Sequence, residues 1–258
     1  MSRPETLLEC RDLHCSFGEL DVLIGTDFIV NRGETVVIMG RSGCGKSVLL
    51  KHMNGLYRPD RGSVLFDGEE ISGKSEKELV SVRRRVGMLF QAGALFDSLT
   101  VGENVAFPLE HYGLYPGDAR GDRIAELLSF VSLEGTEDRM PSELSGGMRK
   151  RAALARTLAL EPDLLLYDEP TTGLDPITGH QVNRLLRELQ ARLGLSAVVV
   201  THDVATARYV ADKIAFLYNG EIREIASVED VLASSDPVIR EFLYPDPARP
   251  GPGLQVAE

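Results

Sequence analysis

The sequence predicts an α/β fold, a largely parallel β-sheet core with a helical lobe inserted into it. Three observations lead there. Short apolar, β-rich runs alternate with helical patterns along most of the 258 residues, as they do in chained βαβ units. The strand runs are almost uninterruptedly apolar, which suits strands buried on both faces. Between about residues 92 and 160 strand signals vanish and helix formers take over, as at 123–131 and 151–160.

In chain order, residues 7–13 give the first strand. Thr35–Met39 is the next, and it runs directly into Gly40-Arg41-Ser42-Gly43-Cys44-Gly45-Lys46-Ser47 and an amphipathic stretch over 48–54. Residues 86–90 form a third strand. After the helical interval come strands at 164–167 and 197–201. Between them lies a helix whose Val182, Leu185, Leu186, Leu189 and Leu193 share one stripe, with Arg184, Arg187 and Glu188 outside it. Lys213–Tyr218, Asn219-Gly220 and 221–225 read as a hairpin with a type I′ turn. Ser227-Val228-Glu229-Asp230 caps a short helix. Pro245, Pro247, Pro250 and Pro252, with Gly251 and Gly253, prevent a packed element at the end. The expected organisation is a domain over 1–244, its helical subdomain at about 92–160, and a Pro/Gly-rich tail over 245–258.

Charges sum to 28 − 39 = −11, so non-specific nucleic-acid binding is disfavoured. The basic clusters Arg83-Arg84-Arg85 and Arg149-Lys150-Arg151 are short and flanked by apolar residues, and are expected to be solvated faces. Cys10, Cys15 and Cys44 form no C-x-x-C pair, which fits a reducing cytosol and argues against a disulfide framework or a zinc site. The first residues lack the apolar core of a signal peptide. The longest apolar runs have strand length, far short of a membrane span. Any link to a membrane is expected to come through a partner.

The chemistry concentrates at strand ends. A GxxxxGKS loop between strand and helix turns backbone N–H groups toward anionic oxygens. Lys46 adds a positive charge for terminal phosphates, and the Ser47 hydroxyl is placed to ligate Mg²⁺. Leu164-Leu165-Leu166-Tyr167-Asp168-Glu169 is an apolar strand ending in two acids. On a parallel sheet those acids fall at the carboxyl edge, beside the phosphate loop. Asp168 is expected to hold Mg²⁺ through its water shell, and Glu169 to accept a proton from an attacking water. His202, after the strand 197–201, shares that edge. It reads either as a satisfied polar residue or as a partner of the γ-phosphate or the water. Gln91 ends the strand 86–90, and its amide oxygen can complete a Mg²⁺ shell. Leu144-Ser145-Gly146-Gly147 is a second glycine signal before a helix.

Taken together, these motifs resemble those of the ATP-binding cassette (ABC) ATPases. The match comprises Walker A (Gly40 to Ser47), the Q-loop Gln91, the signature Leu144-Ser145-Gly146-Gly147-Met148, Walker B with its glutamate (Leu164 to Glu169), the D-loop Gly173-Leu174-Asp175-Pro176 and the switch His202. All occur once and in family order. The resemblance implies a P-loop NTPase with a RecA-like sheet core, an N-terminal antiparallel β portion and an inserted helical subdomain. It implies ATP and Mg²⁺ as cofactors, and Phe17 as the ring stacking on adenine, for which a core role competes. It also implies a homodimer in which Ser145, Gly146 and Gly147 of one chain close on the ATP held by the other.

A narrower likeness begins at Phe90-Gln91-Ala92-Gly93-Ala94-Leu95-Phe96 and continues through Leu109, with LSGGMRKRAALA at 144–155 and Asp175-Pro176-Ile177-Thr178. This is similar to the Mla-type phospholipid-trafficking ATPases that serve MCE-protein transporters. What it implies is ATP-driven phospholipid transport from the cytoplasmic face of an inner membrane, through an MlaE-like permease, with an MCE-domain lipid-binding protein and a small STAS-type subunit. Residues 236–243 are similar to the start of those ATPases' C-terminal extension, although the tail after them is short. The alternatives are a cassette for polar solutes such as amino acids, or a regulatory or nucleic-acid-associated ABC ATPase.

Overall fold

A computed structural model of the chain describes residues 5–91 and 93–245. An antiparallel hairpin opens it, β1 (Thr6–Phe17) and β2 (Leu20–Asn31), before β3 (Thr35–Met39) leads into α1 (Lys46–His52). Next come β4 (Arg61–Phe66), β5 (Glu69–Glu70), α2 (Glu76–Arg85) and β6 (Val86–Leu89). Three helices follow, α3 (Val101–His111), α4 (Asp118–Phe130) and α5 (Gly146–Leu158). The chain then alternates through β7 (Leu164–Asp168), α6 (Pro176–Leu193), β8 (Ser196–Val200), α7 (Val204–Val210) and β9 (Lys213–Tyr218). It closes with β10 (Glu221–Ser227), α8 (Val228–Leu232) and α9 (Pro237–Leu243).

Two sheets result, one four-stranded in the order β2-β1-β4-β5 and one six-stranded in the order β10-β9-β3-β8-β7-β6. β9, β3, β8, β7 and β6 run parallel, and β10 pairs antiparallel with β9. The parallel strands are apolar on both sides because each side faces its own core. Val37 and Met39 of β3 join a core with α3–α6, whereas Val36 and Ile38 join one with α1 and the antiparallel sheet. The period-two alternation of a strand makes one five-residue run serve both.

The β9–β10 turn matches expectation, with φ of 48° at Asn219 and 78° at Gly220, the positive pair that a type I′ turn requires. Ser227 Oγ accepts from the Asp230 N–H at 3.1 Å, capping α8.

Residues 93–100 lead into α3 without regular structure, and neither Gly102 nor Pro108 interrupts that helix. Thr100 and Glu103 form a capping box there, and Val101, Val105 and Leu109 are fully buried. That packed face outweighs the bond Pro108 forfeits. The reading of the basic clusters as solvated faces needs correction. Arg83 binds Glu76 and the Gly55 carbonyl, while Arg85 bridges Asp67 and Asp163. Lys150 is buried among backbone carbonyls. Of the predicted tail, residues 246–258 lie outside the described residues.

Candidate nucleotide site

Because β3, β6, β7 and β8 are parallel, their carboxyl ends meet along one edge. Each end delivers a predicted residue: β3 the loop from Gly40, β6 Gln91, β7 Asp168 and Glu169, β8 His202. A cleft of about 820 Å³ opens there, lined by Phe17, Arg41, Ser42, Gly43, Gly45, Lys46, Ser47, Gln91, Glu169 and His202. The loop is pressed against β9, so that a Cβ on Gly40 would sit 2.2 Å from the Leu217 carbonyl oxygen. Cys44 is part of the same loop, and burial pushes its thiol pKa up.

Lys46 is buried, and its Nζ donates to the carbonyls of Gly40 (2.9 Å) and Arg41 (2.8 Å). Its charge therefore faces the loop, within reach of an anion seated on it. The Arg41 side chain turns away to an ion pair with Glu241 of α9 at 2.8 Å. Ser47 Oγ donates to Asp168 Oδ1 at 2.8 Å. That hydroxyl and that carboxylate are hard oxygen donors, and Gln91, whose amide offers another oxygen, lines the same cleft. Among the described residues no three His, Cys, Asp or Glu cluster into a metal site. The donors therefore fit Mg²⁺, which takes one or two protein oxygens and completes its shell with waters and substrate phosphates.

Glu169 holds a left-handed backbone, φ 52°, a costly conformation for a residue with a Cβ. Its N–H donates to the Val200 carbonyl at 3.0 Å, tying the end of β7 to that of β8. The carboxylate is gripped from two sides. Thr172 Oγ1 donates to Oε2 at 3.0 Å, and His202 Nδ1 lies 2.9 Å from Oε1. Glu169 and His202 thus share the edge as a pair. Phe17 is on the lip, 49% exposed, edge-on to Tyr57 at 5.7 Å, so its ring is not in the core. From the far end of the chain Phe242 lines the same cleft. The sequence offers no signal for Phe242, whose contact depends on how α9 folds back.

Ser145, Gly146, Gly147 and Asp175 do not line this cleft. Ser145 caps α5, its Oγ accepting from the Met148 N–H at 3.3 Å. Asp175 caps α6, accepting from the Ile177 and Thr178 N–H groups at 3.1 Å each. Hydrogen bonding to Thr178 holds its carboxyl below the usual range.

A glycine loop at the edge of a parallel sheet, a Ser–Asp oxygen pair and a Glu–His pair beside it define a nucleotide-hydrolysing P-loop domain. The chain belongs to the ABC transporter family, whose model matches residues 23–172, and it is an ATPase. It is 43% identical over 237 residues to the Escherichia coli intermembrane phospholipid transport system ATP-binding protein MlaF, covering 92% of this chain and 88% of that one. The Arabidopsis thaliana chloroplastic protein trigalactosyldiacylglycerol 3 is 41% identical, covering 92% of this chain and 73% of its own. A probable ribonucleotide transport ATP-binding protein, Mkl of Mycobacterium leprae, is also 41% identical, at 92% and 68% coverage. Among solved structures, CbiO1 from Clostridium perfringens superposes with a TM-score of 0.83 at 30% identity, covering 93% of this chain and 96% of that one. The cassette MJ0796, solved as a dimer bound to ADP and Pi, gives 0.79 at 34% identity, covering 86% and 99%.

Proposed function

We propose that this chain powers phospholipid transport as the paired ATPase subunits of an MlaE-like permease. An MCE-domain protein and a small STAS-type subunit complete the complex, in which this chain sits on the cytoplasmic face of an inner membrane. The observation that carries the transport reading is near end-to-end similarity to a phospholipid-transport ATPase. A groove of about 460 Å³ between β6 and the helical lobe supports it. Leu56, Phe90, Phe96 and Phe107 are all exposed there beside Arg84 and Arg156. Exposed aromatic surface of this kind marks an interaction site, and a permease helix is its occupant in this reading. Among the described residues no helix is long and apolar enough to cross a membrane; in this reading the lipid path belongs to the partner.

In the cleft, Lys46 exchanges the Gly40 and Arg41 carbonyls for β- and γ-phosphate oxygens, and the loop N–H groups take the rest. Phe17 offers its open face to adenine. Ser47, Asp168 and Gln91 would hold Mg²⁺, which would supply positive charge to neutralise the phosphates. Glu169 takes a proton from the attacking water as oxygen bonds to the γ-phosphorus and the bond to ADP breaks. His202 orients that carboxylate and reaches toward the γ-phosphate. Ser145, Gly146 and Gly147 complete the site of the opposite chain, and Asp175 lies at the junction between chains.

The test is to isolate the chain with its native membrane partners and measure ATP hydrolysis in bilayers. Phospholipid should accompany the complex, and MCE-protein engagement should change the rate. Co-purification with a permease for amino acids or nucleotides would overturn the lipid reading while leaving the ATPase site intact.

A further inference from the structure

Lys150 lies on α5, the helix capped by Ser145, yet its ammonium serves a different element. The residue is 7% exposed. Its Nζ donates to the carbonyls of Pro170 (2.7 Å) and Thr172 (2.8 Å), with the Glu169 carbonyl at 3.4 Å. An ammonium has three protons, and these three acceptors belong to one short turn, the one that bears Glu169. Thr172 closes that turn through its hydroxyl on the Glu169 carboxylate. A buried charge is costly unless fully paired, and here, among the described residues, backbone oxygens rather than a salt-bridged side chain receive its hydrogen bonds. The start of α5 is also pressed onto α6, since a Cβ on Gly147 would lie 2.4 Å from Thr178 Cγ2. The start of α5 and residues 169–178 therefore form one packed block.

We propose that Lys150 is a positioning residue for hydrolysis, fixing the turn of residues 169–172 so that the Glu169 carboxylate stays aimed into the cleft. Because it projects from the helix that begins with the signature, it also ties that aim to how the signature is seated. This rests on Glu169 being the base. The left-handed backbone of Glu169 needs such external support, since an unsupported chain relaxes out of that region.

The test compares Lys150→Met, Lys150→Gln and Lys150→Arg in the full chain, with Glu169→Gln measured alongside. Methionine keeps the length and apolar stem but donates nothing. Lys150→Met should lower kcat at least tenfold with the KM for ATP within about threefold. Lys150→Arg keeps the charge and donors and should recover a third or more of the wild-type kcat. If Lys150→Met does not fold, Lys150→Gln is judged by the same kcat criterion. An unchanged kcat, a KM that rises in step with the loss, or an arginine variant no better than methionine overturns the proposal. Failure of both variants to fold also overturns it, because Lys150 is then only an anchor. Wild-type hydrolysis by Glu169→Gln would instead remove the base assignment itself.

Discussion

At Glu169 the chain accepts a strained backbone and aligns the carboxylate by two side chains, Thr172 and His202. Changing it to glutamine keeps size and hydrogen bonding but removes basicity. Glu169→Gln should therefore lower kcat about 10²–10⁴-fold, the usual worth of a general base, while ATP binding persists and ATP-bound dimers accumulate. Single-turnover kinetics with equilibrium binding checks this, and turnover within twofold of wild type would contradict it. Lys46→Ala should fail earlier, at binding, because it removes the cation that sits against the Gly40 and Arg41 carbonyls. A nucleotide titration separates the two variants, with loss of affinity only in the alanine variant. That these two residues meet at one cleft was legible from residue type and spacing alone, since strand–loop–helix order places both. The Lys150 contacts were not, because their acceptors lie about twenty residues downstream and the approach is made by tertiary folding.

The parallel strands were readable because they are apolar on both faces, but β2, β4 and α2 were not. β2 alternates exposed with buried residues and is interrupted by Asp21, Gly25 and Asp27. α2 buries only Leu79 and Val82, so its polar composition resembles loop. α3 falls within the helical interval the sequence predicts, although Pro108 suggests a break that its packed face overrides. One ion-pair cluster joins these elements. Asp67, after β4, receives Arg85 from the end of α2 at 2.6 Å and Arg32 from beyond β2, while Arg85 also binds Asp163 before β7. Hydrogen bonding from Arg85 holds the Asp67 carboxyl below its usual range. A depressed carboxyl stabilises the fold fully above its unfolded pKa, about 3.9, and loses that contribution as pH falls through the folded value. Asp67→Asn should thus cost on the order of 1–3 kcal/mol at pH 7, discounted for the partial exposure of Arg85, and less as pH falls below about 4. Urea unfolding across pH tests it; an equal deficit at every pH would exclude the charge as cause. At the neighbouring groove, Phe96 and Phe107 pack tilted at 4.8 Å and are 43% and 47% exposed. Phe96→Asp would replace apolar surface in the proposed permease joint with a charge, and desolvating that charge is costly even with Arg156 5.6 Å from the ring it replaces. Membrane recruitment should fail while ATP binding by the isolated chain is kept; unchanged recruitment counts against the joint.

One chain carries one phosphate loop and one signature, and the fold keeps them apart: Ser145–Gly147 lie outside the cleft that contains Lys46. In the proposed arrangement a symmetric pair of chains would resolve this, each signature closing on the other's loop, the closed two-fold arrangement commonest among homo-oligomers. The structurally similar cassette MJ0796 was solved as a dimer bound to ADP and Pi. The consequence is a pattern of complementation that a self-contained site cannot give. Ser145→Arg should leave ATP binding to the single chain intact and block closure, because the arginine side chain fills the space meant for a γ-phosphate. Lys46→Ala should be inactive for want of bound nucleotide. Mixed dimers of the two variants have one site with both lesions and one site with neither. Random pairing at equal amounts makes half of all dimers mixed, so about a quarter of wild-type sites are intact. Hydrolysis by the mixture should exceed that of either variant alone, and rise with the fraction of mixed dimers as the ratio approaches one to one. Sites that act in cis predict the opposite, a mixture no more active than the average of its components at every ratio. Normal hydrolysis by Ser145→Arg alone would likewise place the whole reaction within one chain.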